Sequence, residues 1–156
     1  MSTQMMGFES DKRIRQQWNN QPQNATIDGK HYHFRSKLEA RWAKYCQFRK
    51  EQGLIKDWAY EQTRFLFPGE TRGAVQYLID FDILNNDGTF HYEECKGRLT
   101  GKDNTKFRRV RKYRPEVEID LVMQRIPKKH SGTLRIAAKY TRRIIDASKI
   151  FRQLGL

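Results

Sequence analysis

The sequence has few cysteines and no long apolar run, and each absence excludes a class of protein. Only Cys46 and Cys95 occur among the 156 residues, and no C-x-x-C spacing is present. Neither a zinc-binding scaffold nor a disulfide framework is therefore indicated. No apolar stretch approaches the length of a membrane-spanning helix, and no apolar signal peptide is visible. We therefore expect a cytoplasmic protein with no membrane partner.

Several motifs that would identify a catalytic or repeat protein are also missing. The sequence contains no Gly-rich phosphate loop, no Ser/His/Asp grouping, no internal repeat and no low-complexity linker. The hydrophobic content of 37% is sufficient for one core in a chain of this length. We predict a polar, flexible N-terminal arm over residues 1–25 and a single domain over residues 26–156. That domain is expected to end in an amphipathic helix with one apolar stripe: Ile144, Ala147, Phe151 and Leu154.

Acidic residues are outnumbered by basic ones. The chain has 31 Lys and Arg against 18 Asp and Glu, which gives a formal net charge of +13. This balance favours a polyanionic partner such as DNA. Basic residues cluster between Arg98 and Arg114, where Phe107, Val110 and Tyr113 recur at helical spacing. Such a helix would follow a phosphate backbone, although a solvated basic face is the commoner explanation of a charge run.

The strongest chemical signal lies between residues 77 and 96. Residues 77–84 are rich in aromatic and β-branched side chains and precede Asn85-Asn86-Asp87-Gly88, which predicts a strand entering a hairpin turn. The next strand is predicted over Phe90–Lys96. In this register Asp80 lies roughly opposite Glu94, with Cβ atoms about 5 Å apart. Two carboxylates that close repel each other unless a cation lies between them.

Alternation along these strands assigns side chains to faces. One apolar face is predicted for Tyr77, Ile79, Phe81 and Ile83. The other face of the same strand is predicted to carry Leu78, Asp80 and Asp82, the last opposite Tyr92. On the second strand Tyr92, Glu94 and Lys96 are expected to share a face, while Glu93 and Cys95 point away.

Asp80 and Glu94 together offer the ligands that magnesium prefers. This ion takes oxygen ligands in near-octahedral geometry and is commonly held by one or two carboxylates, waters and substrate phosphate. Lys96 would project beside the ion, where it could orient or deprotonate an attacking water or offset charge on a phosphate. The alternative is a half-solvated sheet in which Lys96 makes an ordinary ion pair, because a D…E-x-K pattern is short and common.

Glu39 also has two interpretations. Ser36 followed three residues later by Glu39 is a capping box, which gives Glu39 a structural duty at the start of a helix. Alternatively, Glu39 reaches a metal site from the border of the buried helix face. The pattern does not choose between these duties, and we expect one side chain to perform only one of them.

These segments, taken in order, resemble the motifs of the PD-(D/E)XK nuclease superfamily. Within it, the order and spacing are most similar to the Holliday-junction-resolving endonucleases of T-odd phages. The layout is also similar to a family of small phage and prophage proteins assigned to the same fold. The resemblance covers roughly residues 26 to 124, and the motifs that carry it are residues 34–39, 77–81, 94–97 and 117–122.

The resemblance implies an α/β fold with a restriction-endonuclease-like central mixed β-sheet flanked by helices. It also implies that Glu39, Asp80 and Glu94 bind one or two Mg²⁺ or Mn²⁺ ions and that Lys96 completes the catalytic site. The proline that names the superfamily is replaced here by Ile79, which leaves the carboxylate of Asp80 in place.

The activity implied by the resemblance is metal-dependent endonucleolytic cleavage of DNA. The expected substrate is branched DNA such as a Holliday junction, in phage recombination or genome processing, and the expected enzyme is a homodimer in the host-cell cytoplasm. Two alternatives stay open: a nuclease of the same fold that cuts linear, flap or single-stranded DNA, and a non-catalytic basic DNA-binding protein. DNA contacts are predicted for the basic residues in and beside the motifs: Arg35, Lys37, Arg98, Lys102, Lys106 and Arg109.

Overall fold

The computed structural model describes residues 21–156, which form nine strands and four helices. The N-terminal half comprises β1 (Gln23–Ile27), β2 (Lys30–Phe34), α1 (Lys37–Glu51), β3 (Asp57–Tyr60), β4 (Arg64–Leu66), β5 (Gln76–Leu78) and β6 (Phe81–Leu84). The C-terminal half comprises β7 (Phe90–Lys96), α2 (Gly101–Tyr113), β8 (Ile119–Met123), α3 (Gly132–Tyr140), β9 (Arg143–Asp146) and α4 (Ala147–Leu154). None of the four helices is long and apolar enough to cross a membrane.

A five-stranded mixed sheet with the order β3-β6-β7-β8-β9 forms the centre of the fold. Strands β3, β6 and β7 pair antiparallel, whereas β7, β8 and β9 pair parallel. Helices cover both faces of this sheet, so the predicted α/β fold with a central mixed sheet and flanking helices is confirmed. The arrangement is consistent with a restriction-endonuclease-like fold.

The hairpin around residue 87 forms as the sequence predicts. Strand β7 spans Phe90–Lys96, and Asp82 pairs with Tyr92 across the β6–β7 ladder. Glu94 lies one position beyond the last ladder pair, Phe81 with Glu93. The segment that follows crosses over through α2 and places β8 parallel to β7.

Two hydrophobic cores lie on opposite faces of the sheet. The first packs α1 and α4 against the sheet through Trp42, Phe151, Phe81, Ile83 and Val122. The second packs α2 and α3 against the other face through Phe107, Val110, Leu121 and Leu134. Burial of a large apolar side chain contributes about 1.5–3 kcal/mol, so each helix is held mainly by these few contacts.

The predicted single apolar face of residues 77–84 is wrong. Tyr77 and Ile79 pack in the core under α2, whereas Phe81 and Ile83 pack in the core under α1. The chain bends at Asp80 and divides the expected strand into β5 and β6. Asp80 therefore lies at a break between strands, and the alternation of a regular ladder does not determine the direction of its side chain.

A bulge in the opposing strand causes this bend. The Glu61 amide donates to the Asp80 carbonyl at 2.8 Å, and the Ile79 amide donates to the Thr63 carbonyl at 3.1 Å. Residues 61–63 thus oppose only residues 79 and 80 between two regular ladders. Glu61 adopts a φ of 50°, which is uncommon for a residue other than glycine. Bulges are frequent beside functional sites because they redirect a side chain.

The C-terminal and N-terminal predictions also need correction. Ile144 does not belong to the terminal helix but to strand β9, opposite Leu121 of β8. A four-residue strand beside a helix has too little alternation to be separated by periodicity. The expected N-terminal arm lies outside the described residues as far as residue 20, and its last residues, from Gln23 onward, belong to strand β1.

Candidate active site

Three carboxylates from separate elements meet beside the bulge. Glu39 comes from the first turn of α1, Glu61 follows β3, and Asp80 precedes β6. One carboxylate oxygen of each lies within 4.8 Å of the others. Glu39 and Asp80 are buried, and Glu61 is half-buried. The fold therefore concentrates negative charge at one point at the edge of the core.

Glu94 joins this group through the backbone of Asp80. The Asp80 amide donates to Oε2 of Glu94 at 3.2 Å, and the Cys95 amide donates to Oδ2 of Asp80 at 2.8 Å. Burial raises the pKa of Asp80 well above its ordinary value, and the charges of Glu94 and Glu39 raise it further. Burial also raises the pKa of Glu94, although the neighbouring Lys96 opposes this shift.

Glu39 caps its helix and also lies in the carboxylate cluster. As part of a cap, its amide donates to Ser36 Oγ at 3.2 Å, and its Oε1 accepts from the same hydroxyl at 3.0 Å. Its Oε2 accepts from the Tyr60 hydroxyl at 2.5 Å while the carboxylate faces Asp80 and Glu61. Burial and the Glu39 carboxylate raise the pKa of Tyr60, so its hydroxyl keeps its proton as the donor. The cap orients the carboxylate and does not withdraw it from the cluster.

Lys96 lies between two carboxylates. Its Nζ contacts Glu94 Oε1 at 3.0 Å and Asp103 Oδ1 at 3.2 Å. Burial alone would lower the pKa of Lys96, but Glu94 and Asp103 raise it above its ordinary value. Asp103 also accepts from the Thr100 amide at 2.8 Å, which completes a capping box at the start of α2. The beginning of α2 thereby fixes a protonated lysine beside Glu94.

The donor chemistry of the cluster fits a hard divalent cation. Glu39, Glu61, Asp80 and Glu94 contribute oxygen donors only, which is the ligand type that Mg²⁺ and Mn²⁺ prefer. Their combined negative charge exceeds the single positive charge that Lys96 brings into the site. Burying several carboxylates together is costly unless a cation compensates them. The structure thus brings all four sequence-predicted site residues together, with Glu61 as an additional candidate ligand.

Sequence reasoning missed Glu61 and Asp103. Nothing in the local pattern around Glu61 indicates a bulge, because its left-handed backbone depends on pairing with residues 79 and 80. Asp103 had a visible signal: Thr100-x-x-Asp103 is a capping box at the start of a basic helix. That pattern would have predicted a carboxylate in the first turn of α2, a few residues after Lys96.

The basic residues predicted to contact DNA occupy different environments near this site. Arg98 and Lys102 are exposed between the end of β7 and the first turn of α2. Arg35 is also exposed, and its Nε contacts Glu61 Oε1 at 2.8 Å. Lys37 begins α1 and is partly buried. Of these four residues, Arg35 contacts the carboxylate cluster directly.

Arg109 and Lys106 are turned toward the protein. The Arg109 side chain is only 13% exposed; it contacts Glu70 and donates to the Ala74 carbonyl, which fastens the loop between β4 and β5 to helix α2. The ammonium of Lys106 lies 5.2 Å from the centre of the Tyr77 ring. Arg109 therefore has a structural contact that the sequence did not predict, whereas Lys106 remains half-exposed.

Metal-free protein carrying Asp80→Asn is expected to be more stable than the wild type at pH 7. The reason is that folding raises the pKa of Asp80, so the wild type loses stability as the pH rises through that folded value. Below 3.8, the ordinary aspartate pKa, the carboxyl is neutral in both states and the difference should vanish. The free energy of unfolding, measured with urea in EDTA at pH 7, 5 and 3.5, tests this.

Magnesium should then reverse the order of stability. A ligand present at 100 times its dissociation constant stabilises the folded state by about 2.7 kcal/mol, and only the wild type should gain this. Asp28→Asn is the matched control, because Asp28 is exposed in a turn with a φ of 50° that asparagine also adopts. A wild type that does not respond to Mg²⁺ or Mn²⁺ would contradict the metal site.

Comparison with known proteins identifies the family of this chain. No curated protein matches it, and no solved structure matches it either. A family model described as "Protein of unknown function (DUF1064)" matches residues 19–131. This region includes every residue of the carboxylate cluster, Lys96 and helix α2. Because the match covers well over half of the 156 residues, the chain belongs to the DUF1064 family.

Proposed function

We propose that this protein is a divalent-metal-dependent DNA endonuclease. The observation that carries the proposal is the convergence of Glu39, Asp80, Glu94 and Lys96 at one end of a mixed sheet. These are the positions at which the sequence resembles the PD-(D/E)XK nucleases. The net charge of +13, with Arg35 in contact with Glu61, supports a polyanionic substrate.

The carboxylates supply the metal ligands in this proposal. Asp80, Glu94 and Glu39 hold one or two Mg²⁺ or Mn²⁺ ions, and Glu61 is a further candidate ligand. When bound, such ions polarise the scissile phosphate and lower the pKa of an attacking water. Tyr60 holds the carboxylate of Glu39 in place by donating to it, so that the ligand set is oriented before substrate arrives.

Lys96 acts as a fixed positive charge in this proposal. In the metal-free site the carboxylates of Glu94 and Asp103 raise the pKa of Lys96, which favours a role as a positive charge over a role as the base that deprotonates water. A protonated lysine beside the metal ligands offsets the negative charge that builds on the phosphate during cleavage. Asp103 also contacts the ammonium of Lys96 and helps to hold it beside Glu94. Of the roles considered from the sequence, charge compensation is the one that this geometry favours.

The proposed substrate is branched DNA, and this part rests on the resemblance to junction-resolving enzymes. Arg98 and Lys102 would contact the phosphate backbone next to the scissile bond. A Holliday junction presents two equivalent strands for cutting, so an enzyme that resolves it needs two active sites, as in a homodimer. A nuclease that cuts flaps, linear duplex or single strands would use the same residues on a different DNA geometry.

Cleavage assays with matched DNA substrates test the proposal. End-labelled four-way junction, flap, linear duplex and single strand are incubated with protein in Mg²⁺, Mn²⁺ or EDTA. We expect paired, metal-dependent cuts in the junction by the wild type and by Glu116→Gln, an exposed control. Asp80→Asn should lose cleavage by at least about 100-fold. Metal-dependent cuts mainly in another substrate would support the nuclease activity but assign it a different substrate. Tight binding of every substrate without cleavage would refute the proposed nuclease activity.

A further inference from the structure

A polar cleft lies at the end of the sheet opposite the candidate active site. Its volume is about 550 Å³, and its walls come from the end of α1, the turn after β6 and the first residues of β7 and β9. His91 lines this cleft near the start of β7, whereas Lys96 ends the same strand. Five residue steps along the strand separate them by about 16 Å. The cleft is therefore a separate site.

Three guanidinium groups line this cleft, and buried carboxylates hold them in place. Arg49 binds Glu93 through two hydrogen bonds of 2.9 and 2.6 Å. Arg142 binds Asp120 through two hydrogen bonds of 2.7 Å, and Arg143 donates to Asp120 at 2.9 Å. Glu93 and Asp120 are completely buried and Arg49 is nearly so, whereas Arg142 and Arg143 are exposed at the surface of the cleft.

These contacts exclude a metal ion here. His91, Glu93 and Asp120 place ligand atoms within 4.8 Å of one another, which is close enough for a shared cation. However, the carboxylate oxygens already accept hydrogen bonds from the three arginines, and the ring nitrogen of His91 lies 3.0 Å from Glu93. A divalent cation would meet three positive charges, so the electrostatics favour an anion.

The guanidiniums retain donors for such an anion. Each guanidinium has five N–H groups, and Arg143 uses its Nε for Asp120 while its side chain remains 57% exposed. The Arg49 side chain is only 8% exposed, so the donors that an anion can reach are those of Arg142 and Arg143. Arg142 also contacts Glu118 at 3.2 Å, which leaves Arg143 as the exposed guanidinium with the most unused donors.

An apolar wall adjoins the guanidiniums. Ile55 and Tyr45 line the cleft, and so does Leu54, which is 62% exposed. Arginine is well suited to bidentate recognition of phosphate, and an exposed leucine beside it suits the base or sugar of a nucleotide. A bare inorganic anion would leave this wall unused.

We propose that this cleft binds a nucleotide unit, with its phosphate on Arg142 and Arg143 and its apolar body against Leu54 and Tyr45. The ligand is either a free nucleotide or one nucleotide of a DNA strand, since both present the same chemistry. The site uses none of the carboxylates of the candidate active site. It therefore stands independently of the proposed nuclease activity.

Calorimetric titration of the full chain in EDTA tests this site. The ligands are thymidine monophosphate, inorganic phosphate and a short oligothymidylate, each titrated into wild type, Arg143→Gln, Leu54→Ala and Arg135→Gln. Arg135 is an exposed arginine on α3 and serves as the control for net charge. Circular dichroism of each variant verifies that it is folded, which the exposure of Arg143 and Leu54 favours.

We expect thymidine monophosphate to bind more tightly than inorganic phosphate. Arg143→Gln should weaken nucleotide binding about tenfold, the effect of one lost charge-assisted hydrogen bond. Leu54→Ala should weaken the nucleotide and leave inorganic phosphate unchanged, and Arg135→Gln should change neither. If Arg143→Gln weakens the oligonucleotide as well, the ligand is part of a DNA strand; if it weakens only the mononucleotide, the ligand is a free nucleotide.

Three results would overturn the proposal. The first is that the wild type binds neither phosphate nor nucleotide. The second is that Arg143→Gln and Arg135→Gln weaken binding equally, because the effect is then one of net charge alone. The third is equal affinity for nucleotide and inorganic phosphate, which would show that the apolar wall makes no contact with the ligand.

Discussion

Replacement of Lys96 by methionine is expected to lower the rate of DNA cleavage about 100- to 1,000-fold, with DNA affinity changed only a few-fold. Methionine keeps the length and packing of the side chain but removes the charge that faces Glu94 at 3.0 Å. The loss should appear in the single-turnover rate, because compensation of phosphate charge matters most in the transition state. Single-turnover cleavage and filter binding of the same labelled DNA separate the two effects.

Asp103→Asn is the companion variant that separates charge from position. Asparagine keeps the hydrogen bonds that cap α2 but removes one of the two carboxylates that hold Lys96. The lysine stays protonated because Glu94 remains, so we expect a smaller loss of rate and an unchanged dependence on pH between 6 and 9. A rate that rises with pH in the wild type, with its midpoint lowered by Asp103→Asn, would instead identify Lys96 as a base.

Replacement of Glu93 by glutamine is expected to lower the free energy of unfolding by about 3–5 kcal/mol. Glu93 is completely buried and accepts hydrogen bonds from Arg49, Trp42 and His91. Glutamine would leave the buried guanidinium of Arg49 without a compensating charge. Urea unfolding at pH 7 measures the change, and Glu118→Gln, an exposed partner of Arg142, should shift stability by less than about 0.5 kcal/mol.

The pH dependence of this difference follows from the pKa of Glu93. Burial would raise that pKa, but hydrogen bonds from His91 and Arg49 lower it to about 2, against an ordinary value of 4.5. The stability contributed by the carboxylate is therefore complete above pH 4.5 and is lost as the pH falls toward 2. The wild type and Glu93→Gln should converge over that window. A difference below about 1 kcal/mol at pH 7 would contradict the role of this ion pair.

The two strands of the central hairpin were predictable because local patterns determine them. The turn at residues 85–88 sets the register, and alternation along β7 separates Glu94 from Glu93. The same alternation failed at Asp80, since the bulge at residues 61–63 depends on a pairing across the sheet that no single segment encodes. The order of the motifs therefore predicted which carboxylates would meet. The positions of their side chains could be known only from the tertiary structure.

Residues with two duties were the hardest to predict. Glu39 caps α1 and also joins the cluster, whereas each pattern taken alone suggested one role. Strand β9 was missed because a strand of four residues directly precedes a helix, and the apolar positions of the two merge into one apparent stripe. Glu39 is one residue with two roles, and residues 143–154 are one stretch of chain that forms a strand and then a helix. A pattern with a single period describes only one role or one element.

The bulge beside Asp80 also determines where this family can change in length. Side chains alternate along a strand with a period of two, so inserting or deleting one residue between Tyr77 and Phe81 would exchange the faces of everything on one side of the change. Either Tyr77 would leave the core under α2, or Phe81 would leave the core under α1. Relatives should therefore keep a constant number of residues through the bulge.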